Sequence, residues 1–458
     1  MSWREYIDRE QERFVADLLD FIRIPSVSAV PEHAPDVKRA AQWIADRLTK
    51  SGLENVVVLP TAGHPCVYAD WLHAGPDKPT VLIYGHFDVQ PAEPFDLWTS
   101  PPFEPEIRDE RVYGRGASDD KGSLLTSVFG VEALLATEKA LPVNVKFIFE
   151  GQEEIGSPDL PPFVEENRER LAADMIFSAD GLQWSADTPQ LVMGLKGIVG
   201  LDIVVTGPHS DQHSGLHGGG IANPATALAQ ILASLKSVDG RITVDNFYDD
   251  VLPLTDDDRA AMARIPYDEA DYLAQSGAPA TAGEPGYTTY ERLWARPTLD
   301  VNGVYSGWQG SGVKTVLPAQ ATAKITCRLV AGQTPRRVVE LITKHVERHL
   351  PSGVTAKVVH LPGDADPFIV PYGHNSSQIA ANVLEEVYNR KPYIARLGGS
   401  IPVMQTLLDV LGVHATMFGF SHGDENLHAP DEFFRLPVFR QGQIAYARLL
   451  LELGRTNG

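Results

Sequence analysis

The sequence is poor in cysteine, in basic residues and in long apolar runs, and each shortage removes a class of protein. Its two cysteines, Cys66 and Cys327, lie in separate regions. They can form at most one bridge, and no Cys-x-x-Cys pair exists. That excludes a disulfide framework and a thiolate metal site; two free thiols in a reducing cytoplasm are expected. Lys and Arg number 39 against 60 Asp and Glu, a formal charge of −21. The basic footprint that binds nucleic acid or an anionic membrane surface is missing, so neither is expected as a partner. No apolar run is long enough to span a bilayer. The opening MSWREYIDREQERF is charged and amphipathic rather than a signal-peptide core. No fixed-period repeat and no low-complexity tract is present. A soluble cytoplasmic protein is the expectation.

What is present is a chain able to build a large core. Its 458 residues, 43% of them hydrophobic, suffice for two domains or for one large domain with an insertion. The segment VLIYGHFDVQP, 81–91, organises the rest. Val81 to Tyr84 reads as a buried strand ended by Gly85. His86 and Asp88 follow at its carboxyl end, where open α/β sheets place their chemistry. Ser2 is suited to cap a helix reaching about Ile22, and a second helix is expected from about Asp36 to Ser51. The loop from Gln90 to Glu110, rich in Pro, Phe and Trp, is expected to wall a pocket. GRGASDDKG, 114–122, marks a tight turn before a helix over about 123–137. A strand over 143–151 runs into Gln152, Glu153 and Glu154, and ADMIFSAD ends at Asp180. This alternation predicts an α/β fold, a mostly parallel sheet with helices on both faces.

The pattern changes near Gly194. GIVGLDIVVTG alternates like a half-exposed strand, and Asn223–Pro224 reads as an N-cap and first turn. Strands near 300–305 and 321–330, a helix over 335–350 and a strand over 354–361 complete β-α-β-β-α-β, the ferredoxin-like order. An α+β domain is therefore expected as an insert over 195–361, dividing the first domain into 1–194 and 362–458. The segment 239–296 is longer and more acidic than that order needs and is expected to add short helices. Helices over 376–388 and 401–411, the strand VHATMFGF, the loop HGDENLHAPDE and a helix over 437–453 finish the chain.

At or just after the strand ends lie His86, Asp88, Asp119, Asp120, Glu153, Glu154, Asp180 and His428. Each has an ordinary reading alone. Asp119–Asp120 can cap the helix behind them, Glu153–Glu154 can be a solvated pair, Asp180 a turn residue and His428 a loop histidine. Gathered at one sheet edge, the carboxylates would repel one another unless cations neutralised them. Two His with several carboxylates suit zinc, and also cobalt or manganese.

The motifs GHFDVQP, GRGASDDKG, EGQEEIGS, FSADG and ENLHAPDE, in that order, resemble those of one metallopeptidase family. It groups aminoacylase, bacterial glutamate carboxypeptidase, acetylornithine deacetylase, succinyl-diaminopimelate desuccinylase and the carnosinase-type dipeptidases. HSGLHGG, GVKTVLPAQATAKITCRLV and GGSIPV in the insert are similar to its cytosolic non-specific dipeptidase and carnosinase branch. The resemblance implies a zinc-peptidase sheet with an inserted lid and dimerisation domain. It implies two zinc ions per subunit, for which manganese or cobalt can substitute. His86 and Asp180 would hold one, Glu154 and His428 the other, and Asp119 would bridge them. A cis peptide between Asp119 and Asp120 is implied as well.

Asp88 is expected to accept a hydrogen bond from the second ring nitrogen of His86. Glu153 is the expected general base. In an extended segment adjacent side chains point apart, so Glu154 can face metal while Glu153 faces substrate. The resemblance gives His213 the stabilisation of the oxyanion, reaching over from the partner of a homodimer. It gives Arg328 the substrate's terminal carboxylate, with Thr315 and Ser400 helping. Gly399 and Ser400 precede an expected helix start, which favours anions. A clamp drawn from both domains predicts their closure over short substrates. One departure is Asp431–Glu432, where relatives commonly read Asn-Glu. The expected substrate is a dipeptide. An N-acyl amino acid, cleaved by a deacylase of the same fold, is the alternative, and a non-catalytic metal-stabilised binding protein is the reading from another class.

Overall fold

The computed structural model describes residues 1–455. The chain divides into two compact units, one formed by Met1–Met193, Val370–Ala395 and the chain from Val403 onward, the other by Gly194–Ile369 and Arg396–Pro402.

The first unit opens with helices α1 (Trp3–Ile22) and α2 (Ala34–Lys50) and strands β1 (Glu54–Leu59), β2 (Cys66–Trp71) and β3 (Thr80–His86). Helix α3 (Lys121–Glu138), β4 (Asn144–Glu150) and β5 (Met175–Ser178) follow. Helix α1 starts where it does because Ser2 and Glu5 form a capping box: Ser2 Oγ accepts the Glu5 N–H, and the Glu5 carboxylate accepts the Ser2 N–H. Its apolar stripe of Ile7, Phe14, Leu18 and Phe21 is fully buried, and Phe14 stacks on Phe129 of α3 at 4.0 Å.

The second unit contains β6 (Gly197–Thr206), α4 (Pro224–Leu235), α5 (Asp256–Ala263), α6 (Glu269–Ser276) and α7 (Thr289–Ala295). It continues with β7 (Thr298–Ser306), β8 (Gln320–Leu329), α8 (Pro335–His349) and β9 (Thr355–His360). Helix α9 (Asn375–Tyr388), helix α10 (Pro402–Leu411), strand β10 (Ala415–Met417) and helix α11 (Leu436–Leu453) end the chain.

The sheet of the first unit has the order β1-β2-β4-β3-β5-β10. Strand β3 sits inside it, parallel to β4 from Thr80↔Asn144 to His86↔Glu150 and parallel to β5. Strand β10 is parallel to β5, while β1–β2 and β2–β4 are antiparallel. Strands β2, β3 and β4 are buried almost throughout, as apolar runs in a sheet covered on both faces must be. Helix α11 comes so close to α3 that a Cβ on Gly130 would lie 2.7 Å from Tyr446 Cβ, so glycine is required there.

The second unit holds an antiparallel sheet of order β7-β8-β6-β9. With α4 and α8 as connections this is the ferredoxin-like arrangement. Val199, Leu201, Ile203 and Val205 of β6 alternate with more exposed residues and pack with Leu228, Ile231, Val338 and Ile342. The unit extends past 361 because Ala365 and Ile198 exchange backbone hydrogen bonds at 2.9 and 3.0 Å and Phe368 pairs with Leu195.

Candidate metal centre

His86 closes β3 and is wholly buried. Its Nε2 lies 3.1 Å from Asp119 Oδ1. The other oxygen of Asp119 lies 3.0 Å from His428 Nε2, which is also 3.2 Å from Glu154 Oε2. Two sets of donors result, His86–Asp119–Asp180 and Asp119–Glu154–His428, each with its donor atoms within 4.8 Å of one another and Asp119 common to both. The Asp119–Asp120 peptide is cis.

The electrostatics suit a cation pair. Burial raises Asp180 to about 7, with Asp119 and Glu154 adding to it. Burial lifts Glu153 well above the usual carboxylate range, reinforced by Asp180, Glu154 and Asp119, and lifts Glu154 likewise. Burial works to raise Asp119 too, but the His428 and His86 imidazoles outweigh it and hold that carboxyl low. Asp119 and Glu154 push His428 up to about 10. A buried cluster this acidic is driven to take up protons or positive ions, and carboxylate and imidazole donors in two triads fit divalent cations.

Asp88 departs from its expected partner. Its two carboxylate oxygens accept the backbone N–H groups of Glu153 and Glu154, each at 3.1 Å. His86 Nδ1 lies nearer the Asp88 carbonyl oxygen, at 3.1 Å, than its carboxylate, at 3.5 Å. Glu153 and Glu154 are likewise not extended. They form a 3-10 turn, Glu153–Ile155, because Asp88 gathers both amides on one side and Gly156 closes the turn at φ +84°. Strand alternation therefore does not set the directions of the two side chains.

Two supporting residues escaped the sequence reading. Gln90 donates from Nε2 to Glu154 Oε2 at 2.9 Å and to the Glu154 carbonyl at 3.0 Å. Glu432 accepts from Arg115 Nη1 at 2.7 Å and from the N–H groups of Gly116, Ser118 and Asp119 at 2.9–3.1 Å. Its motif was visible, but nothing local reveals a partner more than 300 residues away. Asp120 sends Oδ2 to the His86 N–H at 3.3 Å.

The remaining candidates lie in the second unit. Arg328, on β8 between Ile198 and Thr298, donates from Nη1 to Ser400 Oγ at 3.0 Å. Ser400 Oγ donates to the Lys196 carbonyl at 2.5 Å, and Gly399's carbonyl accepts the Lys196 N–H at 3.1 Å. These bonds group Ser400 and Gly399 with the insert, not with the sheet domain where the sequence boundaries put them. Thr315 sits apart from Arg328, beside His213: Thr315 O accepts the Ser214 N–H, and Val316 pairs with His213. His213 is exposed, and its Nδ1 accepts the Gly215 N–H at 3.0 Å, which leaves the neutral ring's proton on Nε2.

Residues 82–452 match the model of peptidase family M20/M25/M40. The chain is similar to the Cys-Gly metallodipeptidase dug1 of Schizosaccharomyces pombe, 31% identical over 98% of this chain and 97% of that one. It is similar to the Beta-Ala-His dipeptidase of Homo sapiens, 30% identical over 98% and 92%. Among solved structures it resembles an M20 family metallo-carboxypeptidase from Sulfolobus solfataricus, with a TM-score of 0.85, 30% identity, and coverage of 97% and 99%. The chain belongs to peptidase family M20/M25/M40.

Proposed function

We propose that this metallopeptidase hydrolyses the amide bond of dipeptides carrying a free C-terminal carboxylate, with Glu153 as general base. The observation that carries the reading is Asp119 shared by two donor triads, with Glu153 beside the triad member Glu154 in the turn that Asp88 holds. The two dipeptidases named above support the substrate class.

His86, Asp119 and Asp180 would hold one divalent cation and Asp119, Glu154 and His428 a second. Zinc is the proposed ion, with manganese or cobalt able to replace it. When bound, such a pair acidifies water and polarises the scissile carbonyl. Glu153 takes a proton from the attacking water and delivers it to the leaving amine. Asp88 fixes the turn that presents Glu153 and Glu154. Arg328 and Ser400 receive the terminal carboxylate, aided by Gly399, which is bonded through Lys196 to Ser400; Thr315 helps only from beside His213. His213, with its proton on Nε2, donates to the oxyanion from the partner subunit.

That last role requires a homodimer, and β7 supports one. It is the edge strand of its sheet, with Val301, Val304 and Tyr305 exposed along it and exposed Trp308 just beyond. Unpaired edges with apolar side chains favour pairing with a second chain. The second unit is thus the proposed lid and dimerisation domain and the first the catalytic one. A cytoplasmic location is part of the same reading; among the described residues no helix is long and apolar enough to cross a membrane.

The test compares matched substrates on metal-loaded protein: an L-dipeptide with a free amino group and the N-acetyl amino acid with the same C-terminus. Faster release of the C-terminal amino acid from the dipeptide is expected. Faster cleavage of the N-acetyl compound would make the protein a deacylase, and cleavage of neither would overturn the reading.

A further inference from the structure

The stretch 239–296 exceeds what the ferredoxin-like order needs, and it supplies none of the residues assigned above. It is nonetheless firmly built. Helices α5 and α7 each begin with a capping box, Thr255 with Asp258 and Thr288 with Glu291. Arg259 joins Glu291 across them, and Arg296 forks onto Glu284 at 2.7 and 3.0 Å.

Two groups from this extension meet the short segment that carries Ser400, and a third meets Lys196, which is bonded to that segment. From α5, Asp258 Oδ1 accepts from Arg396 Nη2 in an ion pair whose side chains are only 6% and 15% exposed. From α7, the Arg292 carbonyl accepts the Lys196 ammonium at 3.0 Å. The Leu293 carbonyl, next along, lies 3.1 Å from where a Cβ on Gly398 would be, so the segment passes directly against the helix. Lys196 then passes the constraint on. Its N–H donates to the carbonyls of Leu397 and Gly399 at 3.3 and 3.1 Å, and its carbonyl accepts Ser400 Oγ, which accepts Arg328.

Neither Lys196 nor Arg328 forms a salt bridge among the described residues. Burial, then the charge of Arg328, pushes Lys196 down to about 7. Two neighbouring cations repel, so keeping Arg328 in place for an anion requires that Lys196 be held where it is, which the Arg292 carbonyl does.

We propose that the acidic extension is the positioning element of the carboxylate clamp, with Asp258 acting through Arg396 and Arg292 acting through Lys196 to hold Ser400 and Arg328 at the spacing a carboxylate requires. The inference rests on the reading of Arg328 and Ser400 given above. It assigns Arg396 and Lys196 as positioning residues that do not touch substrate.

The test uses the full-length metal-loaded protein and Arg396→Met, Arg396→Lys and Lys196→Met. Asp258 is left alone because it also caps α5. Each protein is assayed on a dipeptide and on the same dipeptide with a C-terminal amide. For the free acid, Arg396→Met and Lys196→Met should raise KM by about three- to tenfold, a displaced charge-assisted hydrogen bond, with kcat and metal content unchanged. KM for the amide should stay within error, and Arg396→Lys should recover part of the loss. Equal KM rises for acid and amide, or a fall in kcat at constant KM, would overturn the proposal. If the wild type cleaves no dipeptide, the functional reading has failed. Calorimetric titration of the same free-acid dipeptide against wild type and Arg396→Met then decides the inference alone, weaker binding to the variant supporting it and equal binding overturning it.

Discussion

Asp431 occupies a left-handed position, φ +57°, and Thr99 accounts for its carboxylate. One oxygen accepts the Thr99 N–H at 2.8 Å and the other the Thr99 hydroxyl at 2.7 Å. The charged carboxylate accepts both bonds and ties the 90–110 loop to the His428 loop; an asparagine would keep one acceptor, turn the hydroxyl bond round and replace two charge-assisted bonds by neutral ones. Asp431→Asn should cost about 0.5–1.5 kcal/mol. In a double-mutant cycle with Thr99→Val, read by urea unfolding, the two losses should fall short of additivity; strict additivity would separate the residues. Lys196 gives a pH signature. Its folded value of about 7 lies below the ordinary 10.5. Between those values the unfolded chain holds a proton that the folded chain has released, so this group's contribution to stability rises with pH across that window, and its full penalty stands below pH 7. Lys196→Met should therefore gain most over wild type at or below pH 7 and lose that advantage as pH approaches 10.5. A pH-independent difference in unfolding free energy would contradict this.

The element that most depends on distant support is the loop from His422 to Glu432. Asn426, His428 and Asp431 all sit at positive φ, 55–59°, and Glu432 anchors its end to the 115–119 turn. Glu432→Gln removes the charge that collects Arg115 and three backbone amides. Metal affinity, measured by chelator competition, should fall by about 10- to 100-fold, as for other partners of metal-holding residues; unchanged affinity would show that the turn stands without it. Much of this architecture was legible because local signals agreed. Ser2 announces α1, the apolar run before Gly85 announces β3, and the alternation of GIVGLDIVVTG announces β6. Position at or just after element ends picked out eight candidates, and only the motifs shared with a known family singled out His86, Asp119, Glu154, Asp180 and His428 among them. Gln90, the double use of Asp88, the 3-10 turn at Glu153 and the grouping of Ser400 with the insert were not legible. Each depends on hydrogen bonds between residues 60 or more apart in sequence, which leave no periodicity in the chain. The expected closure of a clamp split between two domains loses its premise, because Arg328 and Ser400 belong to one unit.

For the whole molecule, β7 makes the oligomeric state testable. Val304→Lys places a charge on the exposed edge. Sedimentation should shift from dimer to monomer, and kcat should fall with it, since His213 would no longer reach a partner's site. A monomeric protein of full activity would remove that role from His213. The central claim is that Glu153 moves the proton while its neighbours hold the cations, and the most direct measurement is metal content and turnover of Glu153→Gln side by side. Two divalent cations should be retained per chain, with kcat lowered by about 10²–10⁴-fold. Turnover near wild type, or loss of metal along with activity, would contradict it.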